Sequence, residues 1–571
     1  MPIRTSLLQW TAFALTVAFL VPNHYPPWLS FHSELVAAVA FVPIIIWAGL
    51  RGGPLPAISV GGLLLAAVAL LQTVAGQIAF SGDGWMAILY LTGFALAALA
   101  GARLITPALE GTAPAAVLGP MWAALAVAGH LSLGVALQQW LQLDLLGIYG
   151  ADLPPGGRVF GNLAQPNQLA TLLLMGVTAH VALFEARQIS ARVAVIGVLF
   201  LTLGLVMTGS RTIVLALAWL WPAYLLMRRR CELRTHPIVA IGLTACFFIG
   251  SLSWPALNEV LLLASDVQTA VNRLDSPGIR SIYWHSMLEA ICRSPWVGYG
   301  WNQIGFAQTA TALDFAPTFS FFYSSHSLPL DLLLWNGLPV GLVAIAGLAA
   351  WAVWQTRRCQ DSSAWPSLVT VGIVFSHAMV EYPLNYAYFL LPVGLLMGSL
   401  SARYPSSVDL LCARLNHRVQ KSALMFVLAM GCTLLVKVSL EYPLWERDWR
   451  NLRFQEATIG EPMRDELPTA VLLTQLSELM RFSRTDARPG MTANELEWMR
   501  LVSGRFGHSS GMFKYALALA VNGQPIAATQ ALRRLCSMHP RRACSLARKR
   551  WADLGQGQYP VLHKAPFPVG P

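Results

Sequence analysis

Stretches of about 20 apolar residues recur along the first three quarters of this 571-residue chain, and they leave it few ways to fold. Inside a bilayer every backbone polar group must bond within the protein, so only helices and closed barrels can cross. The apolar runs are continuous and lack the alternation of barrel strands, which selects helices. Only 12% of the residues are charged and 55% are hydrophobic. That charged fraction is about half of what a soluble protein carries.

About 13 spans are expected, near residues 6–22, 35–50, 55–75, 86–105, 120–140, 166–184, 193–208, 211–227, 237–254, 328–353, 366–380, 383–399 and 422–440. The pair at 366–399 also reads as a single broken helix. The first span serves as a signal anchor, so no cleavable leader is needed. The predicted class is an all-α polytopic membrane protein with about 12–14 transmembrane helices and a C-terminal α-helical soluble domain. Three parts are expected: N-terminal transmembrane helices at 1–119, a transmembrane core at 120–440 with a large loop at 255–327, and a tail at 441–571.

Positive charge in short loops sets orientation. Arg4, Arg51, Arg103, Arg187 with Arg192, Arg228 to Arg230, Arg357 with Arg358, and Arg414 to Lys421 all fall on one side if the N-terminus is cytoplasmic. The other side then receives the loop near 141–165, the loop at 255–327 and the tail. In a bacterium this is the inner membrane with those segments in the periplasm.

The tail holds 18 Lys and Arg against 12 Asp and Glu, a balance of +6 within the chain's +11. These charges are scattered, with no basic-aromatic motif, so nucleic acid is not an expected partner. "YALALAVNGQPIAATQALRRLCSMHP" reads as two helices joined by a turn at Asn522–Pro525, and Ala518, Gly523, Ala531 and Pro540 resemble one tetratricopeptide unit. Among eight cysteines there is no C-x-x-C and no Cys/His cluster, so no metal and no cofactor are expected. Cys536 and Cys544 read equally as an extracytoplasmic disulfide or as two small residues buried in a helical pair.

Four spans, starting near 166, 211, 328 and 383, run from outside to inside. Their N-termini, with free N–H groups and partial positive charge, therefore face outward and suit an anion. Each end carries a polar cluster. The first is "GNLAQPNQ", with Asn162, Gln165 and Asn167 ahead of or within the first turn. The second is "TGSR", with Ser210 as N-cap and Arg211 after it. The third is "SSHSLP", with His326 at the lip, and the fourth is "EYPLNY", with Glu381 and Tyr382. In the large loop, Arg280, Trp284, Met287 and Ile291 share one helix face, with Trp284 suited to the membrane surface. His285 is a neighbouring candidate. Taken singly these residues have plainer readings: Arg211 as a snorkelling anchor, the amides as caps, His285 as a surface residue. Four clusters on one face point instead to a site.

These motifs resemble the PglL-type bacterial protein O-oligosaccharyltransferases, which group with the O-antigen ligases and Wzy polymerases. "GNLAQPNQLATLL", "TGSRT", R-x-x-x-W followed by "PWVGYGW", "SSHSLPLDLLLWNGLPVGL" and "SHAMVEYPLNYAYFLLPVGLLMG" stand in the family's order. The resemblance covers roughly 120–400 well and the tail loosely. The histidine element reads Ser325–His326–Ser327 here, without the Asn of the H-S-H-N-like form. The resemblance implies a GT-C-like membrane glycosyltransferase that takes an oligosaccharide from undecaprenyl diphosphate and passes it to a Ser or Thr hydroxyl of an exported protein such as a pilin. It implies that His326 is catalytic, that Arg211 and Arg280 hold the diphosphate with Gln165, Asn167 and Asn162 beside the donor, and that Tyr382, Glu381, Trp284 and His285 support sugar or acceptor. The alternatives sharing this chemistry are an O-antigen ligase acting on lipid A core and a Wzy-type polymerase. A lipid-linked glycan flippase is the non-enzyme alternative, and it would need polar residues deep in several spans.

Overall fold

A computed structural model of the chain describes residues 2–109, 117–154, 157–261, 263, 279–413, 417–456 and 468–568. The protein is an all-helical polytopic membrane protein with a C-terminal helical region, and no strand occurs among the described residues. Ten helices there are long and apolar enough to cross a bilayer, from Ile3–Leu20 to the apolar part of the His417–Glu456 helix. Two more apolar helices, Trp365–Ala378 and Ala387–Arg403, are shorter. The Arg211–Arg230 helix completes the thirteen expected positions, with one Arg at its start and three at its end.

Two boundaries differ from the hydropathy reading. The region 366–399 is two helices, separated by a 3-10 turn at Pro383–Asn385, so the second starts at Ala387 instead of Pro383. Pro383 takes the first position of that short turn, where its missing N–H costs nothing. The last span continues as helix to Glu456, because charged residues end a membrane stretch without ending a helix. Within the large loop, residues 264–278 lie outside the described residues, as does Arg414 of the basic run ending at Lys421.

The chain forms two compact units. One comprises Met1–Leu65, Tyr90–Ser276 and Gly347–Thr433; the other comprises Ala66–Leu89, Pro277–Ala346 and Leu434–Pro571.

In the first unit the Pro166–Glu185 helix is central: 78% of its apolar window is buried. It packs on Gly119–Trp140, Ala191–Thr208, Arg211–Arg230 and Trp365–Ala378. Small residues let helices close up in the membrane, where apolar association gains little from leaving lipid. A Cβ at Gly398 would lie 1.7 Å from the Ala98 carbonyl oxygen, so only glycine admits this approach.

In the second unit the helix that starts at Leu328 breaks at Gly337, whose φ of 72° lies in the left-handed region that glycine tolerates. Pro339 follows and supplies no N–H. The carbonyls freed by the kink are recaptured by the "PWVGYG" segment. Tyr299 N–H donates to Leu334 O at 2.7 Å and Gly300 N–H to Trp335 O at 3.1 Å, while Leu338 N–H donates to Pro295 O at 2.7 Å. That motif is therefore a plug in a broken helix.

The tail carries five helices in the same unit: Thr474–Arg484, Ala493–Phe506, Ser509–Val521, Pro525–Met538 and Arg541–Gln556. A capping box between Thr492 and Glu495 starts the second. The expected turn follows Val521, with Ala518 and Ala531 buried on either side of it. Neighbouring helices cover the faces that a lone repeat unit would leave bare. Cys536 and Cys544 are joined as a disulfide, which resolves the two readings of that pair.

The tail grips other segments of its unit. Arg505 donates from Nε and Nη2 to the two carboxylate oxygens of Asp83, both at 2.7 Å. Phe319 N–H donates to Ser537 O at 2.9 Å, Ser537 Oγ to Ala312 O at 2.8 Å, and Tyr323 OH to Phe506 O at 2.9 Å. The connection before Asp83, the loop before His326 and the tail thus lie together within this unit.

Candidate active site

The expected site residues fall into two groups, one in each unit. In the first unit the start of the Pro166–Glu185 helix is the hub. Gln165 is its N-cap, half-buried, with an extended backbone and no side-chain bond to the helix end. The loop reaching it twice adopts positive φ, at Gly161 and at Ala164. A positive φ at alanine costs energy that the surrounding bonds must offset.

Asn167 joins three helix ends. Its Nδ2 donates to Glu381 Oε1 at 3.1 Å, and its Oδ1 accepts from Ser210 Oγ at 2.7 Å. Ser210 is fully buried and is the N-cap of the helix that Arg211 begins, so Asn167 fixes the residue just before Arg211. One turn deeper, Thr171 Oγ1 and His377 Nδ1 lie 2.7 Å apart, and Gln168 Oε1 accepts from Tyr388 OH at 2.8 Å. Glu381 is 5% exposed and Tyr382 is half-buried, with its ring stacked at 6.1 Å on Tyr386. The cluster thus assembles Asn167, Ser210 and Glu381 around the start of the Arg211 helix.

Asn162 is spent differently. Its Nδ2 donates to Leu20 O at 2.7 Å and Tyr149 O at 2.9 Å, while its Oδ1 accepts from Ala151 N–H at 2.9 Å. It is 2% exposed, so the amide expected beside the donor is engaged by the chain's own backbone.

In the second unit His326 is half-buried with φ of 57°, a left-handed conformation uncommon for a residue with a side chain. A relay holds it there. His326 N–H donates to Ser324 Oγ at 3.0 Å, Ser324 Oγ donates to Asp331 Oδ2 at 2.7 Å, and Ser325 N–H donates to Asp331 Oδ1 at 2.7 Å. Asp331 is 2% exposed and sits in the first turn of the Leu328–Arg358 helix, where the dipole favours its charge. The imidazole stands edge-on to Phe322, ring centres 5.3 Å apart.

The helix read around Arg280 is present as Arg280–Arg293, with Met287 and Ile291 buried and Arg280 and Trp284 half-buried. Trp284 also has a partner nearer than lipid: its indole N–H donates to Ser325 O at 2.9 Å. Tyr283 OH donates to Ser324 O at 3.1 Å, and burial pushes that phenol well above its ordinary range, so it stays a neutral donor. His285 is exposed, with Nδ1 2.7 Å from Ser281 O one turn back.

Several supporting residues escaped the motif reading. Arg158 donates to the carbonyls of Thr208 and Gly209, at 3.1 and 3.2 Å, holding the turn before Arg211. Glu34 accepts from Trp28 Nε1 and Ala387 N–H, each at 3.1 Å, and from Ser30 and Tyr90 hydroxyls, closing the start of the Ala387–Arg403 helix. Asp331 and Glu34 did carry one signal, a carboxylate in the first turn of an apolar span. Their partners, an indole, three hydroxyls and two backbone N–H groups, carry none.

Three family models match consecutive stretches of this chain. A model for protein glycosylation ligases matches residues 159–184, one for O-antigen ligases matches 196–346, and one for the C-terminal part of virulence factor membrane-bound polymerases matches 367–552. The chain is also similar to the general O-oligosaccharyltransferase of Acinetobacter baylyi, 26% identical over 94% of this chain and 93% of that protein. Over these stretches the chain is similar to the O-oligosaccharyltransferases and O-antigen ligases. It is a glycosyltransferase. A second Acinetobacter baylyi relative, a ComP-specific O-oligosaccharyltransferase, is 27% identical over 68% of this chain and 70% of its own. The first model covers Asn162, Gln165 and Asn167, the second Arg211, Arg280 and His326, and the third Glu381, Tyr382 and most of the tail.

Proposed function

We propose that this protein transfers an oligosaccharide from undecaprenyl diphosphate to a Ser or Thr hydroxyl of an exported, pilin-like protein, at the periplasmic face of a bacterial inner membrane. The observation that carries this reading is the His326 loop, where a buried Asp331 relay holds a histidine in a left-handed conformation. Such over-determined backbone is typical of catalytic loops. In the reaction His326 accepts the proton of the acceptor hydroxyl. The hydroxyl oxygen bonds to the anomeric carbon as the bond to the diphosphate oxygen breaks. One in-line displacement inverts that carbon.

The leaving diphosphate needs charge stabilisation more than a proton. Arg211 and Arg280 supply it, aided by the N-terminus of the Arg211–Arg230 helix. Asn167 and Glu381 fix the cap before Arg211, while Gln165 and Tyr382 line the sugar or diphosphate path. Asn162 braces the loop behind them. The similarity to two O-oligosaccharyltransferases over most of the chain favours a protein acceptor. The O-antigen ligase match over 196–346 supports the second reading, transfer to lipid A core.

Substituting the arginines tests the diphosphate role. Arg211→Ala and Arg280→Ala are expected to lower kcat/KM for the lipid-linked donor by about 10- to 100-fold each, the worth of a charge-assisted hydrogen bond. Lysine keeps the charge and loses the planar fork, so Arg→Lys restores only part. Full activity in Arg211→Ala would remove Arg211 from the donor site.

A further inference from the structure

The segment joining the Gly119–Trp140 helix to the "GNLAQPNQ" motif presents an apolar surface that the reaction does not explain. Leu141, Leu143, Leu145, Leu146, Ile148 and Tyr149 are 40, 46, 78, 37, 84 and 71% exposed. Among residues 141–149 the one charged side chain is Asp144. Six neighbouring apolar side chains in water would be an unusual patch for so short a loop.

The segment is nonetheless tightly built. Gln139, in the last turn of the helix, donates to Ala151 O and Gly161 O, both at 2.8 Å, and accepts from Phe160 and Gly161 N–H. Asn162 closes the same base through Tyr149 O and Ala151 N–H. Two buried amides thus clamp both ends of the segment, so the apolar side chains are displayed on a fixed base.

The surface continues the lipid-facing stripe of the preceding span. Ala123, Val127, Leu131 and Gly134 are exposed along one face of the Gly119–Trp140 helix, at helical spacing. Trp140 at its end donates to Asn258 Oδ1 at 2.9 Å, near the end of the Pro237–Val260 helix. Two spans therefore end at the root of the segment, which places it at a membrane–water boundary. A tyrosine and five aliphatic side chains at that depth suit the region just below the lipid headgroups.

We propose that residues 141–149 form a prong inserted into the lipid leaflet at that end of the spans, and that Asn162 is the positioning residue that holds it. The occupant of the apolar face is the acyl-chain region of the bilayer. The prong ties the leaflet to the loop that leads into the Pro166–Glu185 helix, and so to Asn167 and the start of the Arg211 helix.

The test uses the full chain in lipid nanodiscs. Ile148→Cys is introduced with Cys246→Ser and Cys292→Ser, and labelled with an environment-sensitive fluorophore. The same chain with Ile148 retained serves as blank. Phospholipids brominated high on their acyl chains are expected to quench the label, and aqueous iodide to have little effect. Asn162→Ala is expected to at least halve the lipid quenching. Quenching by iodide alone would overturn the proposal. So would iodide quenching relieved by added acceptor protein, which would make the prong a protein-docking surface. Lipid quenching unchanged in Asn162→Ala would remove Asn162 from this role.

This readout needs neither donor nor transfer, so it stands apart from the proposed reaction. A kinetic arm rests on that reaction: Leu145→Glu with Ile148→Glu is expected to raise KM for the lipid-linked donor at least fivefold in nanodiscs while kcat changes less than twofold. The same shift in detergent micelles, or a loss confined to kcat, would contradict leaflet insertion.

Discussion

His326→Ala is expected to lower glycan transfer by at least about 10²-fold, the lower end of what a positioned general base contributes. The loss should fall on kcat with KM for the lipid donor nearly unchanged, because the imidazole acts on the acceptor hydroxyl only as the bond forms. His285→Ala is the internal control. His285 is exposed and its ring contacts the preceding turn of its own helix, so its loss should leave the rate near wild type. Single-turnover rates with a preformed lipid-linked glycan measure both. Equal losses in the two variants would show that no specific base sits at residue 326.

Arg505→Ala is expected to destabilise the second unit by about 3–5 kcal/mol, because it strands Asp83 as a buried, unpaired carboxylate. The Asp83 side chain is 2% exposed and the Arg505 side chain 16%. The double variant Asp83→Ala with Arg505→Ala should recover much of the loss, since no orphan charge remains. Thermal unfolding of the purified full chain in detergent reports both. Transfer should fall as well: Phe506, next to Arg505, holds the Tyr323 hydroxyl three residues before His326. A single variant with unchanged unfolding would mean that the ion pair is not what joins the tail to the loops.

The spans were legible because a membrane helix must be apolar over a fixed length, whatever its neighbours are. The polar helix ends were legible for the complementary reason, since amides, Arg and His at the edge of an apolar run stand out. What each polar residue touches was not. Asn162 and Asn167 look alike in "GNLAQPNQ", yet one bonds backbone at Leu20, Tyr149 and Ala151, while the other joins Ser210 to Glu381. Backbone carbonyls have no sequence signature, so the role of Asn162 could not be read. The same holds for "PWVGYG", whose backbone fills a break at Gly337 about 40 residues on. Hydropathy also missed the helical run to Glu456, because it reports the solvent and not the backbone.

The most direct test of the proposed reaction is the mass of an exported acceptor protein after co-expression of this chain with a lipid-linked glycan pathway. The expected product is the acceptor bearing one oligosaccharide on a Ser or Thr oxygen, lost when that residue becomes alanine and lost with His326→Ala. Glycan found on lipid A core and never on protein would contradict the account and replace it with the ligase reading.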